Sequence, residues 1–265
     1  MRLLPVRAFA AAALASGLAL FGAGDGHALS GGAPARPGDA LTRATVFITS
    51  LTPTSRTRAQ VANCTGVLIE RNLVLTAGHC LADLGGPSVV VAQFFDASDR
   101  IAHTVQVTAG AMHPDFGGRG DADNPRPELL GADLAILRLA RPAPKDRRPI
   151  PIARQPLKAI ETRSVLAGAG LRTPSDESSS GQLRLAAVKA EVVTDGPTAV
   201  AFGTTGGAVC RGDSGGPVMG QGGLWGVVIA IVRKRNLCNS TIFVAVLDPQ
   251  SKGFRAMLQK ARKGR

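Results

Sequence analysis

Cys210-Arg211-Gly212-Asp213-Ser214-Gly215-Gly216-Pro217 sets a serine among glycines and beside a carboxylate. Glycine lets a backbone turn sharply, so such a loop exposes the serine hydroxyl and can aim backbone N–H groups at a bound carbonyl oxygen. That arrangement suits acyl transfer. Taken alone, Gly-Asp-Ser-Gly-Gly also reads as an ordinary turn, because these residues are favoured in turns for conformational reasons. Two other stretches separate the readings: Thr76-Ala77-Gly78-His79-Cys80 upstream, and Ala132-Asp133-Leu134-Ala135-Ile136-Leu137 between the two.

A serine hydroxyl is a poor nucleophile until a base takes its proton, and imidazole has the right pKa to do so near neutrality. His79 is the candidate base. His103 and His113 are the other histidines after residue 28, each in a strand or loop where a surface role is the default. Asp133 alone reads as a surface carboxylate at the start of a strand. Beside His79 and Ser214 it becomes the group that fixes the imidazole tautomer.

In the order His79, Asp133, Ser214, the three motifs resemble those of the trypsin/chymotrypsin family of serine proteases. The resemblance covers residues 29 to about 260. It implies an all-β fold, two six-stranded antiparallel β-barrels of chymotrypsin type with a short C-terminal α-helix. It also implies roles: Ser214 as nucleophile, His79 as base, Asp133 as its orienting carboxylate, and the N–H groups of Gly212 and Ser214 as the oxyanion hole. Neither a metal nor an organic cofactor is needed. Asp213 would pair with a newly freed N-terminal ammonium, and Leu29 in Leu29-Ser30-Gly31-Gly32 would supply it if a leader is cut after Ala28.

The resemblance also maps a pocket for the side chain before the scissile bond. Ala208 falls at its base, where no carboxylate is present to hold Lys or Arg. Ile229-Ala230-Ile231 stands where Ser-Trp-Gly is common, so Ile231 would close the mouth and Thr241 would narrow the opposite wall. The expectation is a shallow apolar pocket that prefers small residues such as Ala or Val. Ile229 replaces a serine that usually hydrogen-bonds the catalytic aspartate.

The 265 residues suffice for one large β domain or two small ones with a sizeable core. Met1 to Arg7 is a short basic start, Ala8 to Phe21 an apolar run too short to span a bilayer comfortably, and Gly26-His27-Ala28 a small-residue exit. This predicts a signal peptide over 1–28 and a secreted or periplasmic protein, without a transmembrane segment in the mature chain. The expected divisions are then a first barrel over 29–145, a second over 146–250 and a basic helix or tail over 251–265. The four cysteines allow three pairings in an exported chain. Cys64 and Cys80 flank a strand and its following loop, and Cys210 and Cys238 flank the serine loop and a later strand, so those two bridges are predicted. No Cys-x-x-Cys spacing supports zinc.

Short β-branched-rich runs recur along the chain, at Ala44 to Leu51, Cys64 to Ile69, Leu73 to Ala77, Val89 to Phe95, Ile101 to Val107 and Leu134 to Leu139. Thr52 to Asn63 reads as an enlarged hairpin loop. A proline-rich, basic stretch from Arg141 to Pro151 marks the boundary between halves, and six further runs follow up to Val246. Ser251 to Lys263 has the spacing of an amphipathic helix. No internal sequence repeat is visible.

The net charge is +12, and +11 once Arg2, Arg7 and Asp25 leave with residues 1–28. Such an excess favours anionic surfaces or polymers. The absence of Tyr and the single Trp argue against a base-stacking nucleic-acid reader. The leading expectation is a monomeric secreted endopeptidase acting on protein or peptide. The competing one is a protease-like binding protein with weak or no catalysis that holds anionic polymers or surfaces. An esterase on another hydrolase fold is a distant third, because there the Ser precedes the acid and the His.

Overall fold

Six strands close on themselves in the first half of the chain: β1 (Thr45–Pro53), β2 (Ala59–Glu70), β3 (Leu73–Thr76), β4 (Val89–Phe95), β5 (Ile101–Met112) and β6 (Ala135–Leu139). All pairings are antiparallel, and the ring runs β1-β2-β3-β6-β5-β4 and back to β1. The computed structural model describes residues 33–264 except 37, 83–87, 97, 99, 118–119, 122–123, 126, 158–160, 174, 193–196, 204–207 and 232–237. The expected signal peptide, Leu29 and the stretch 233–237 therefore lie outside the described residues.

The second half repeats the plan with β7 (Glu161–Gly168), β8 (Arg184–Val192), β9 (Thr198–Gly203), β10 (Pro217–Gly220), β11 (Gly223–Ile231) and β12 (Thr241–Val246). Here β7 pairs with β8, β8 with β9, β9 with β12, β12 with β11, β11 with β10, and β10 with β7. Counted from its own first strand, this ring has the same order as the first one, although the sequence shows no repeat. The fold is the two-barrel architecture expected from the motifs, with the helix at the C-terminus (Lys252–Lys263).

Closing both sheets leaves few unpaired strand edges and turns alternate side chains inward. Phe94, Phe95, Leu68, Leu73, Leu75, Ile136 and Leu137 lose all contact with water in the first barrel. Leu166, Val218, Val228 and Val244 do much the same in the second. Each such side chain stabilises the fold by about 1.5–3 kcal/mol before chain entropy is counted. The lone Trp225 is buried there, and its indole N–H donates to Ser164 Oγ at 2.8 Å.

The two ends of the described chain cross between barrels. Ala33–Pro34 adds a short strand to β8 of the second barrel. The C-terminal helix packs instead on β5 and β6 of the first, through Phe254, Met257 and Ala261. It is capped at both ends: Ser251 Oγ accepts from Phe254 N at 3.1 Å, and Gly264 takes the left-handed conformation at φ 70°. The ring of His113 lies 2.2 Å from where a Cβ on Gly253 would stand, so only glycine lets the helix approach β5 this closely. Arg71 pins the segment between the barrels by donating to the carbonyl oxygens of Ala143, Pro144 and Arg147.

The structure corrects one expectation. Thr52 to Asn63 is not an enlarged loop, because the β1–β2 ladder continues through Leu51↔Val61, Thr52↔Gln60 and Pro53↔Ala59 and leaves only 54–58 as the turn. Residues 59–61 are all exposed, so the outer hairpin shows no inside-outside alternation and its polar composition masks the strand.

Replacing Ser251 with Ala removes the N-cap of the C-terminal helix. Equilibrium urea unfolding should show a loss of about 1 kcal/mol with an unchanged m value.

Candidate active site

Strand β3 ends at Thr76, and the chain turns through Ala77 and Gly78 into a short helix, His79–Ala82. Asp133 stands one residue short of β6, separated from it by Leu134, and β3 and β6 are ladder neighbours, with Thr76 opposite Ala135. That pairing brings the two residues together across 54 positions of sequence. Asp133 Oδ2 lies 2.8 Å from His79 Nδ1, and Asp133 Oδ1 accepts the backbone N–H of His79, also at 2.8 Å. A carboxylate can only accept from Nδ1, so the hydrogen sits there and Nε2 keeps its lone pair. This is the tautomer a general base requires.

Asp133 is completely buried, and among the described residues its carboxylate accepts hydrogen bonds from His79 alone. Ile229, in the position where a serine had been the usual neighbour, is also completely buried and belongs to the apolar core. Among the described residues the imidazole is therefore the only side chain that hydrogen-bonds this buried carboxylate.

The serine loop comes from the second barrel, between the short strand Val209–Cys210 and β10. Gly212 stands at φ 96° and Gly215 at φ 82°, a region L side chains rarely adopt. At Gly215 a Cβ would also lie 2.1 Å from Thr65 O and from Thr76 Oγ1. The loop is thus pressed against the first barrel on either side of Ser214. Disulfides Cys64–Cys80 and Cys210–Cys238 are both formed, the pairing expected from the sequence. Cys80 Sγ lies 3.9 Å from Ser214 O. His79 and the two sulfurs of Cys64 and Cys80 are close enough to suggest a metal ligand set. Disulfide sulfurs offer no thiolate, so the donor set does not fit a metal.

Thr65 is the residue that sequence reasoning missed. It belongs to β2 of the first barrel, yet its N–H donates to Ser214 O at 2.8 Å and its hydroxyl donates to Gly212 O at 2.9 Å. The same hydroxyl accepts from Ala169 N at 3.1 Å, and Thr65 O accepts from Thr76 Oγ1 at 2.7 Å. One buried residue, through its backbone N–H and its hydroxyl, ties the first barrel to both residues proposed for the oxyanion hole. Nothing in Cys64-Thr65-Gly66 except the neighbouring cysteine pointed to it.

Asp213 points away from the serine, into a cage of backbone. Its Oδ2 accepts from Cys210 N at 2.8 Å and its Oδ1 from Gly170 N at 2.7 Å. A Cβ on Gly168 would meet Asp213 Oδ1 at 2.2 Å, and one on Gly170 would meet Arg211 O and Asp213 N at 2.6 Å. Both glycines are needed for the carboxyl to fit. Burial pushes this carboxyl up to about 7, outweighing the two N–H donors that favour its ionised form.

The pocket residues are less fully described. Ala208 is half-buried beside Cys210, and Thr241 is half-buried at the start of β12 with its N–H on Asn239 Oδ1. Ile231 pairs with Ile242 through the backbone, while its side chain lies outside the description.

With this geometry in hand, the trypsin family model matches residues 30–248. The chain belongs to the trypsin family. Kallikrein 1-related peptidase b11 of Mus musculus is 30% identical over 181 residues, 62% of this chain and 68% of that protein. Inactive serine protease PAMR1 of Homo sapiens is 33% identical over 100 residues, 34% of this chain and 13% of its own length. Among solved structures, human heparin binding protein is 20% identical with TM-score 0.60, covering 88% of this chain and 95% of that one. A scabies mite inactivated protease paralogue is 17% identical with TM-score 0.64, covering 89% and 100%. These structures share the fold; the relatives span both peptidases and proteins named as inactive.

Two outcomes follow for this trypsin-family site. Thr65→Val removes a buried donor and acceptor, leaving Gly212 O and Ala169 N unpaired, and should lower stability by about 1–3 kcal/mol in urea unfolding. Thr65→Ser should restore most of it. Asp213 gives a pH dependence. Its folded pKa lies above the ordinary carboxylate value, so its contribution is complete below about pH 4 and is lost as pH rises through about 7. The full chain carrying Ser214→Ala should lose on the order of 4 kcal/mol between those limits from this group. Adding Asp213→Asn should flatten that slope.

Proposed function

We propose that this trypsin-family chain is a secreted serine endopeptidase that cleaves peptide bonds through an acyl-enzyme, preferring small apolar residues before the scissile bond. The observation that carries the reading is the His79–Asp133 pair, with Nδ1 on the buried carboxylate at 2.8 Å, next in the chain to Cys80, whose Sγ lies 3.9 Å from Ser214 O in a loop held at positive φ on either side of the serine.

In this reading His79 Nε2 takes the proton of Ser214 Oγ as the oxygen attacks the substrate carbonyl carbon. The carbonyl electron pair moves onto oxygen, where the N–H groups of Gly212 and Ser214 receive it. Collapse of that intermediate breaks the C–N bond, and His79 returns its proton to the departing amine. Water then repeats the sequence to release the acid. Asp133 stabilises the imidazolium at each stage without itself taking the proton. The N–H groups can point inward only while the loop keeps its turn, and Asp213 sets that turn from behind.

Maturation belongs to the same reading. A cut after Ala28 would free the α-amino group of Leu29, and its ammonium would pair with Asp213. The carboxylate would then be held ionised by a charge partner rather than being driven toward its protonated form by burial. The two disulfides suit an oxidising compartment, in keeping with export. Among the described residues no helix is long and apolar enough to cross a membrane.

The test is covalent labelling of the exported protein with a fluorophosphonate, paired with turnover of a short-peptide library and N-terminal sequencing of the same sample. Labelling that disappears in Ser214→Ala, cleavage after Ala or Val, and an end at Leu29 are expected. Asp133→Asn should lower kcat by about 10⁴-fold, a magnitude carried over from this family. A correctly folded chain starting at Leu29 that neither labels nor cleaves would sink the enzymatic reading and leave a protease-like binding protein.

A further inference from the structure

Every carbonyl oxygen of the serine loop from Cys210 to Ser214 accepts a hydrogen bond. Asp213 N donates to Cys210 O at 3.1 Å, Leu171 N to Arg211 O at 2.9 Å and Thr65 Oγ1 to Gly212 O at 2.9 Å. Gly216 N donates to Asp213 O at 2.9 Å, and Thr65 N to Ser214 O at 2.8 Å. The N–H groups of Cys210, Asp213, Gly215 and Gly216 are all in use as donors. Those of Gly212 and Ser214 meet no partner among the described residues. A folded backbone seldom leaves donors over, so a pair of them beside a serine hydroxyl suits an incoming oxygen.

The direction of the Gly212 N–H is fixed by its own peptide unit, because a trans peptide carries its oxygen on the side opposite the hydrogen. That oxygen belongs to Arg211 and is held by Leu171 N. The next peptide unit is held by Thr65. Its hydroxyl accepts from Ala169 N at 3.1 Å, which commits its one hydrogen to Gly212 O. Asp213 fastens the turn from behind, through Gly170 N and Cys210 N. Turning the Gly212 N–H away therefore means breaking the Leu171 bond while Thr65 holds the following unit still. All of these partners lie at residue 65 or beyond: in β2, in the segment that follows β7, and in the loop itself.

We propose that this serine loop keeps its working turn without an N-terminal ammonium, with Thr65 as a positioning residue, so that the chain is a competent peptidase before any cut frees Leu29. The inference rests on the peptidase reading and concerns how that site is switched on. A charge pair between Leu29 and Asp213 then adds to a turn that the two barrels already make. What the loop does require is that the barrels dock, since Thr65 belongs to one and Gly212 and Ser214 to the other. Activity accordingly appears with folding and does not wait for the cleavage of one peptide bond.

The experiment compares two exported chains, one beginning at Leu29 and one carrying a few extra residues ahead of it, each end verified by N-terminal sequencing. Both are followed by fluorophosphonate labelling and by kcat and KM on short peptides. The extended chain should label and turn over within about tenfold of the Leu29 chain, at the same KM. Thr65→Val should lower kcat by about 10²-fold in the extended chain, the scale of losing one oxyanion donor. In the Leu29 chain, where the ammonium also holds Asp213, the loss should be about tenfold or less, and KM should be unchanged in both. Thr65→Ser keeps the hydroxyl and should return kcat to near the parent value. Each variant is assayed well below its unfolding midpoint, so that lost stability does not pass for lost activity. An extended chain more than about tenfold slower than the Leu29 chain would overturn the proposal and leave the peptidase reading standing, because the loop would then be waiting for the ammonium. Equal losses from Thr65→Val in the two chains would overturn it as well, as would a failure of Thr65→Ser to restore kcat. Two folded chains that neither label nor cleave would overturn it together with the peptidase reading.

Discussion

The serine loop is built around a carboxyl group that has no water. Asp213 is 1% exposed, and its two oxygens are met by the N–H groups of Cys210 and Gly170. An ionisable side chain is tolerated in such a place only if its hydrogen-bonding capacity is met by fixed donors, and two backbone amides supply that here. The bond from Cys210 N closes a tight turn over Arg211 and Gly212, and the turn puts Gly212 at φ 96°. The aim of the Gly212 and Ser214 amides is thus a consequence of how Asp213 is housed. Gly168 and Gly170 matter for the same reason, since a methyl on either would occupy the space of the carboxyl or of the turn's backbone.

The loop is held from the other side by a different barrel. Neither barrel contains the site by itself: His79 and Asp133 come from the first, and Ser214 with its amides from the second. Thr65 links them with an N–H to Ser214 O and a hydroxyl to Gly212 O. A backbone bond from Gly215 N to Val228 O at 2.6 Å fixes the loop to its own barrel, so the segment is clamped between the two. The termini reinforce the docking, because Ala33–Pro34 joins the second barrel while the C-terminal helix packs on the first. Loosening the interface would separate His79 from Ser214 without changing either.

How far the sequence reveals this depends on which side of a residue faces the chemistry. The pairing of His79 with Asp133 was legible because each lies in a short motif of residues with few other uses, and the barrel strands were legible where one face is buried. The outer β1–β2 hairpin was not, since residues 59–61 are exposed on both faces and leave no period to read. The identical strand order of the two barrels is invisible for a related reason: topology is set by which edges pair, and many different apolar side chains satisfy the same pairing. Thr65, Gly168 and Gly170 escaped because their roles consist of contacts with the serine loop, which lies far along the chain from each of them. A threonine after a cysteine and a Gly-Ala-Gly at a strand end carry no local sign of that.

Ile229 shows the opposite case, a residue whose departure from the family pattern was legible and whose consequence the structure makes concrete. An aliphatic side chain at this position fills the core completely but offers no hydrogen to Asp133. The carboxylate then relies on His79 for its side-chain contact and, through the His79 N–H, for its backbone contact as well. Both bonds move together if the short helix beginning at His79 shifts. That helix is in turn anchored by Cys80, whose sulfur bridges to Cys64, the residue immediately before Thr65. The disulfide therefore joins the helix that carries His79 to the strand that clasps the serine loop. With no hydroxyl at 229 to hold Asp133 independently, that covalent link adds to the β3–β6 ladder and to the Thr65 hydrogen bonds in holding His79, Asp133 and the serine loop in register.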